Sequence, residues 1–180
     1  MNDIAVELAK LHLLTGAEFS RQVERIALRG EFHPLEGETD IYTAGGETSE
    51  DFENQLNAAR KAVSHGYKVF ILPNPKGIRT PDFILERKGI YRIYDLKTIE
   101  GKSSVDNRLS ESIGQTNRVL LNMNTDYKAG KLSRSIKRYF ENYNDGLEVI
   151  VLKGNKIISV TRQMAKDKDF VIAFSKKYYK

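Results

Sequence analysis

Residues 81–97, which read PDFILERKGIYRIYDLK, decide the fold that we expect for this chain of 180 residues. Two runs rich in apolar and aromatic residues flank a turn at residues 87–89, and this pattern predicts an antiparallel hairpin. In such a hairpin, Asp82 near the start of the first strand lies roughly opposite Asp95 near the end of the second. The stretch therefore predicts two carboxylates at one end of a small sheet.

Asp95 and Lys97 are separated by one residue, and strand side chains alternate between the two faces of a sheet. We therefore expect both to share one face, open to solvent, while Leu96 points to the core. Acid-x-Lys triplets occur four times in the chain, so the triplet alone carries little information. Only this one ends a clear strand and follows a Pro-Asp pair, so we expect Asp82, Asp95 and Lys97 to converge.

The chain on both sides of the hairpin predicts a mixed α/β fold. Upstream, Thr48 and Asp51 can form a capping box at the start of a helix, Gly66 can end it, and residues 67–72 form a strand. Downstream, apolar spacing predicts two helices, and β-rich runs predict a hairpin turning at residues 154–155 and a last strand. These downstream elements cover residues 108–123, 132–143, 147–152, 156–160 and 170–174, and the tail at 176–180 is expected to fray.

The N-terminal part of the chain has a different character. Apolar residues at helical spacing predict two helices within the first thirty residues, and residues 31–48 carry the Gly and acidic residues that are typical of a loop. We therefore expect a helical appendage with its linker at residues 1–46 and an α/β domain at residues 47–180.

The composition excludes several classes of protein. The chain has no cysteine, so disulfides, thiolate nucleophiles and iron–sulfur clusters are excluded. Its three histidines show no ligand spacing, and no phosphate-binding Gly-rich loop or serine-hydrolase motif occurs. No apolar run approaches the ~20 residues of a membrane span, and no export signal is visible. We expect no membrane contact and a cytoplasmic site of action, with delivery from a larger secreted bacterial protein left open.

Charge is distributed unevenly along the chain. Residues 1–56 hold four basic and twelve acidic residues, whereas residues 57–180 hold twenty-five basic and twelve acidic residues, a balance of +13. A basic body of this kind suits a polyanion such as nucleic acid. The candidate phosphate contacts lie on the second downstream helix and just before it, and they are Lys131, Arg134, Lys137 and Arg138, extended by Lys102, Arg108 and Arg118.

Two carboxylates and an ammonium group at one sheet end suit phosphodiester hydrolysis. Asp82 and Asp95, with the backbone carbonyl of Leu96, offer the oxygen ligands that Mg²⁺ prefers, and Mn²⁺ or Zn²⁺ are alternatives. Lys97 would orient or deprotonate the attacking water and add positive charge where negative charge develops.

Four short motifs follow one another in the order of a known superfamily. The chain has Glu53-Asn54 on a helix, residues 66–69 reading GYKV, residues 81–83 reading PDF and residues 95–97 reading DLK. In this it resembles the PD-(D/E)xK nucleases of restriction-endonuclease-like fold, and within them the C-terminal nuclease toxins of contact-dependent inhibition and related polymorphic systems. The resemblance implies an αβββαβ core with a mixed sheet.

The resemblance also implies roles and partners. Glu53, with Glu50 as a fallback, would complete the metal shell with Asp82 and Asp95, and Gln115 would touch substrate or the catalytic Lys97. The chain would be a metal-dependent endonuclease, a bacterial toxin acting on tRNA or DNA. RNA is slightly favoured over DNA because a compact domain with one basic helix suits folded or single-stranded substrates. An acidic immunity protein would cover the basic face.

Simpler explanations exist for each residue. Asp82 can open a strand by bonding its own backbone, and Asp95 with Lys97 can be a surface ion pair. Glu53 can serve the helix dipole, while a solvated helix position is the simpler explanation for Gln115. The basic helix face can be a solvated stripe. The rival function is a non-catalytic nucleic-acid-binding or assembly module on the same fold.

Overall fold

The structure, a computed structural model, describes residues 3–45, 49–74, 79–101 and 103–180. It is a mixed α/β fold whose eight strands pair in chain order, which confirms the expected class. From residue 52 to residue 123 the elements follow the predicted order αβββαβ. Contacts divide the chain into two compact units, Met1–Tyr94 and Asp95–Lys180. The division into an appendage and a domain after residue 46 stays a prediction.

The helices of the first unit include the two expected near the N-terminus. Ile4 and Leu8 of the first helix and Val23 and Ile26 of the second are buried in one apolar cluster, as their spacing predicts. The bounds are α1 Asp3–Lys10, a 3-10 turn Leu11–Leu13, α2 Gly16–Ala27 and α3 Phe52–Ser64. Helix α3 begins after Asp51, while Thr48 of the expected capping box lies outside the described residues.

Residues 31–48 contain two short strands, so the prediction of a loop throughout was wrong. Ile41, Tyr42 and Thr43 are β-branched or aromatic residues, and they pair in parallel with the strand that follows α3, with Ile41 opposite Val69. The strands of this unit are β1 His33–Pro34, β2 Ile41–Thr43, β3 Lys68–Ile71, β4 Phe83–Arg87 and β5 Ile90–Ile99. The last of them, β5, continues into the second unit.

Strands β4 and β5 form the predicted hairpin. Lys88 and Gly89 both have positive φ, 53° and 79°, as a two-residue turn of the tight hairpin type requires. Phe83 pairs with Tyr94, and the amide of Asp82 donates to the carbonyl of Tyr94 at 3.1 Å. The first half of β5 pairs with β4, while its second half, from Asp95, pairs with the next strand of the second unit.

The second unit places helices on one face of a largely parallel set of strands. β5, β6 and β7 are parallel and β8 is antiparallel to β7, which confirms the predicted late hairpin. Its apolar core joins side chains of these strands to all four of the helices that follow β5. The bounds are α4 Val105–Ser112, β6 Arg118–Met123, α5 Ala129–Asn142, β7 Glu148–Lys153, β8 Lys156–Thr161, α6 Arg162–Lys166 and α7 Phe170–Tyr179.

The helix predicted over residues 108–123 is wrong in its second half. Ile113 is extended, with φ −62° and ψ 128°, and Gly114 has φ +90°, so residues 112–115 form a type II turn closed by the hydrogen bond from the amide of Gln115 to the carbonyl of Ser112. Helix α4 therefore stops at Ser112, and β6 begins at Arg118. A Cβ atom at Gly114 would meet nothing within 4 Å, so this glycine serves the backbone conformation of the turn and not close packing. Val119 and Leu120 are both fully buried, as in a strand covered on both faces.

Residues 170–174 are helical, so the prediction of a last strand was wrong. Phe170, Phe174 and Tyr178 recur at four-residue spacing and are all buried, because α7 lays one face on the core of the second unit. Tyr178 is only 1% exposed, so the tail at 176–180 does not fray as expected. Within the described part of the chain, no helix has the length and apolar character needed to cross a bilayer.

Candidate functional site

Asp95 and Lys97 lie together on the half of β5 that belongs to the second unit. The Nζ atom of Lys97 is 3.2 Å from Oδ2 of Asp95. Oδ2 is buried and makes no hydrogen bond of standard geometry with any described residue, so the contact is an ion pair without an aligned hydrogen bond. A buried carboxylate oxygen with unused lone pairs retains the capacity to bind a cation or a further donor.

The pair is more enclosed than the sequence indicates. Asp95 is 2% exposed and Lys97 8% exposed, whereas Leu96 between them is half-buried. The expectation that the acid and the lysine face open solvent while Leu96 points to the core is therefore wrong. The reason is that Ile99, two residues beyond Lys97 on the same strand face, lies in the core that the helices of this unit cover.

Helix α4 connects this buried pair to the protein surface. An Oε2 atom of Glu111 lies 4.0 Å from Nζ of Lys97, and the same oxygen accepts from Nη1 of Arg108 at 2.8 Å. The side chain of Glu111 is 49% exposed. A line of alternating charges therefore runs from Asp95 through Lys97 and Glu111 to Arg108 at the surface.

Asp82 of the first unit is held by a residue that sequence analysis missed. Nε2 of Gln55 on α3 donates to Oδ1 of Asp82 at 3.4 Å, and Oγ of Ser49 donates to Oε1 of Gln55 at 3.3 Å. Gln55 is 4% exposed, while Asp82 is half-buried. The available signal was a glutamine beside Leu56 on the otherwise apolar face of α3, since a buried polar side chain normally has a specific partner.

The other two residues expected at the site lie elsewhere on their elements. Glu53 is exposed in the first turn of α3, and Glu50 is exposed just before it. The pKa of Arg60 is raised, mainly by its hydrogen bond to Glu38, and the charge of Glu53 adds to this. Gln115 is in the turn after α4, where its Nε2 donates to the carbonyl of Glu111 at 2.9 Å. The expected helical position of Gln115 was therefore wrong.

A second residue that sequence analysis missed is Tyr139 on α5. It is 4% exposed, and its hydroxyl makes no hydrogen bond of standard geometry within the described part of the chain. Burial above all, and then Tyr143, raise the pKa of Tyr139, and the negative charge of Asp95 acts in the same direction. Its ring packs on Gly146, where an added Cβ would lie 3.0 Å from Cε1. The carboxylate of Asp95 thus has a neutral tyrosine among its surroundings.

The residues present fit a metal ion only in part. Among the described residues, no group of three or more His, Asp or Glu side chains is arranged to hold a metal ion. Mg²⁺, however, usually takes one or two carboxylates and keeps several waters. Asp95, whose buried Oδ2 accepts no hydrogen bond of standard geometry from the described residues, and the neighbouring carbonyl of Leu96 are oxygen ligands of the appropriate kind.

Several of the expected phosphate-binding side chains already have acidic partners. Arg118 pairs with Glu148 at 2.7 Å, and Arg138 donates from Nε and Nη2 to both carboxylate oxygens of Asp106. That hydrogen bonding raises the pKa of Arg138. Lys131 lies 5.1 Å from the centre of the Tyr127 ring. Arg134 is exposed, Lys137 is half-buried and Lys102 lies outside the described residues.

Comparison with known proteins links part of this chain to one family. Residues 79–158 match the family described as "Contact-dependent growth inhibition CdiA C-terminal domain", and this stretch contains Asp82, Asp95 and Lys97. A solved structure described as "CdiA-CT/CdiI toxin and immunity complex from Burkholderia pseudomallei" is similar at 18% identity and a TM-score of 0.41. The alignment covers 66% of this chain and 98% of that one. No curated protein matches the sequence significantly.

Proposed function

We propose that this chain is a metal-dependent endonuclease of the PD-(D/E)xK superfamily and acts as a bacterial toxin on tRNA or DNA. The observation that carries the proposal is the pair formed by Asp95 and Lys97, with 3.2 Å between Oδ2 and Nζ. An acid and a lysine that share a strand face two residues apart can bind a metal ion and stabilise the developing negative charge next to it.

Asp82 is proposed as the second carboxylate. It directly precedes Phe83, whose partner in the hairpin, Tyr94, directly precedes Asp95. The hydrogen bond from Gln55 would hold the carboxylate of Asp82 in one orientation, as the partners of metal ligands commonly do. Glu53 remains the proposed third acid, although it is exposed at the start of α3.

Each residue has a defined task in the proposed reaction. When bound, Mg²⁺, or Mn²⁺ or Zn²⁺ in its place, would neutralise phosphate charge and lower the pKa of a water molecule. Asp82, Asp95 and the carbonyl of Leu96 would hold it. The ammonium of Lys97 would donate to a phosphate oxygen as negative charge develops there, and Gln115 would position the substrate near Lys97.

The proposed toxin role rests on the family match and on charge. Residues 79–158 match the CdiA C-terminal domain family. Residues 57–180 carry a balance of +13, which suits both a nucleic-acid substrate and an acidic immunity protein that would block access to it. We propose delivery as part of a larger secreted protein, and RNA as the preferred substrate over DNA.

One observation favours a second candidate function. Asp95 and Lys97 are 2% and 8% exposed, and buried ion pairs of this kind also serve structure alone. On that reading the chain is a non-catalytic nucleic-acid-binding or assembly module. The exposed basic residues Lys131 and Arg134 would still contact phosphates.

The deciding experiment removes one charge at Asp95 without changing its size. Total tRNA and plasmid DNA are incubated with the wild type, with Asp95→Asn and with Asp145→Asn, a matched change at an exposed loop position. Each reaction is run with Mg²⁺, Mn²⁺ or Zn²⁺ and again with EDTA. We expect metal-dependent products from the wild type and from Asp145→Asn, and a loss of at least about a hundredfold in Asp95→Asn.

Two results would refute the proposal. One is cleavage by a folded Asp95→Asn protein at the wild-type rate. The other is an absence of products from the wild type with every metal, together with a gel shift of the same substrates, which would support the binding module.

A further inference from the structure

A cleft lies in the second unit, at the end where its parallel strands finish. The cleft has a volume of about 680 Å³ and is lined by residues 123–126 and 153–156, and we call it the strand-end cleft. Met123 ends β6 and Lys153 ends β7, both parallel to β5. In open α/β sheets, ligands typically bind in the crevice beyond the carboxyl ends of the strands.

Two lysines of the cleft are held in place by α7. Nζ of Lys153 lies 3.8 Å from the centre of the Tyr178 ring, and Nζ of Lys156 donates to the carbonyl of Tyr178 at 2.8 Å. Because Tyr178 is buried, these contacts fix the ammonium groups before any ligand arrives, which reduces the entropy cost of binding an anion. Asn124 and Thr125 add hydrogen-bonding groups, and Asp126 is the acid of the lining.

The start of helix α5 adds positive potential to the same region. The helix begins at Ala129, three residues after Asp126, and runs for 14 residues. Lys128 and Lys131 are exposed there, and the N-terminus of a helix carries a partial positive charge. The amide of Ala129 donates to the hydroxyl of Tyr179, so the same region also joins α5 to α7.

We propose that the strand-end cleft binds a phosphate group of a nucleotide, either free or within a single-stranded nucleic acid. Tyr179 is 63% exposed and its ring centre lies 5.7 Å from Nζ of Lys153. An exposed aromatic ring beside a lysine lets a base stack while its phosphate meets the ammonium. Neither Asp82, Asp95 nor Lys97 belongs to this cleft.

The cleft is separate from the proposed cleavage site. Asp95 precedes Ile99 by four residues on β5, and Ile99 pairs with Met123 of the cleft. At about 3.3 Å per residue, this is about 13 Å along the strand. Binding in the cleft goes beyond the proposed nuclease activity and does not require it.

The test uses the full chain labelled with ¹⁵N and titrated with adenosine monophosphate, adenosine and inorganic phosphate. We expect saturable amide shifts at residues 124–126 and 154–156 with adenosine monophosphate, weaker ones with phosphate and none with adenosine. A single-stranded tetranucleotide forms a further arm. If the tetranucleotide binds at least about tenfold more tightly than adenosine monophosphate, the natural ligand is a nucleic-acid strand. If the two bind equally, the natural ligand is a free nucleotide.

Two matched variants distinguish a charge placed in the cleft from a change in the overall charge of the protein. Asn155→Asp adds one negative charge at the exposed hairpin turn of the cleft, while Asn144→Asp makes the same change in the exposed loop after α5. We expect the first to weaken binding at least about fivefold and the second to change it less than twofold. Equal weakening by both Asn variants, or no saturable shifts in the wild type, overturns the proposal.

Discussion

The Nζ atom of Lys97 lies 3.2 Å from Oδ2 of Asp95, with both side chains on one face of β5 and both almost fully buried. A buried ion pair is costly to break from one side, since the remaining charge stays out of water without a partner. The exposed end of this arrangement is Glu111, at 4.0 Å from Lys97.

Lys97→Met should therefore destabilise the protein by about 3–5 kcal/mol, because it leaves the carboxylate of Asp95 buried and uncompensated. The double variant Asp95→Asn with Lys97→Met removes both charges and should lose less than about 2 kcal/mol. Urea unfolding of the wild type, the two single variants and the double variant measures the coupling. A double variant as unstable as the sum of the single ones would show that the two charges do not interact.

Gln55→Glu should place a second carboxylate against Asp82 in a buried position. Repulsion requires that both groups are ionised, so the pKa of one of them rises above its unfolded value, and the loss of stability is larger above that unfolded pKa. We expect a loss of about 2 kcal/mol at pH 8 that becomes smaller as the pH falls toward 5. Urea unfolding at several pH values measures this.

The matched control for Gln55→Glu is Gln163→Glu at an exposed position of α6, which should change stability by less than about 0.5 kcal/mol at every pH. A loss in Gln55→Glu that does not depend on pH would contradict the proximity of Gln55 and Asp82.

Arg162→Met should weaken the end of helix α5. The guanidinium donates to the carbonyls of Phe140, Tyr143 and Gly146, at or just beyond the last turn of that helix. Loss of these bonds should cost about 2–4 kcal/mol, since hydrogen bonds from charged donors are worth about 1.5–3 kcal/mol each and water replaces some of them. Lys166→Met, at an exposed position of α6, is the control in thermal and urea unfolding, and an equal effect would refute this role.

Gly146→Ala should displace Tyr139, because the new Cβ would lie 3.0 Å from its Cε1 atom. We expect a loss of about 1–3 kcal/mol from overpacking and, in the proposed nuclease, reduced cleavage as the surroundings of Asp95 shift. Gly30→Ala is a suitable control, since its Cβ would meet nothing within 4 Å. Cleavage and unfolding are measured on the same preparations, and a neutral Gly146→Ala would show that Tyr139 adapts freely.

The hairpin was predictable because its signals are local. Two strand-forming runs around Lys88-Gly89 specify both the turn and the register, and alternation then places Asp95 and Lys97 on one face. The local pattern could not predict which face of β5 is covered by the rest of the fold. The strand face that carries Asp95 and Lys97 is covered by helices that follow β5 in the chain, so the expectation that both side chains face open solvent was wrong.

Two errors in the elements have separate physical causes. At residues 113–123 the apolar spacing suits a helix, but a turn with Ile113 and Gly114 at its centre follows α4, and the apolar run continues as a buried strand. At residues 170–174 the β-forming composition suggested a strand, yet the four-residue recurrence of Phe170, Phe174 and Tyr178 and their burial on the core favoured a helix. Gln55 escaped detection because its partner, Asp82, is twenty-seven residues away.

The first five residues of β5 pair with β4, and its last five residues pair with β6. A cut or a recombination joint between Tyr94 and Asp95 would divide the strand at the point where its pairing changes from β4 to β6. Any chimera between this chain and a relative must therefore inherit the whole of β5 from one parent. Swaps that respect this strand keep their pairing, and joints inside it leave two unmatched edges.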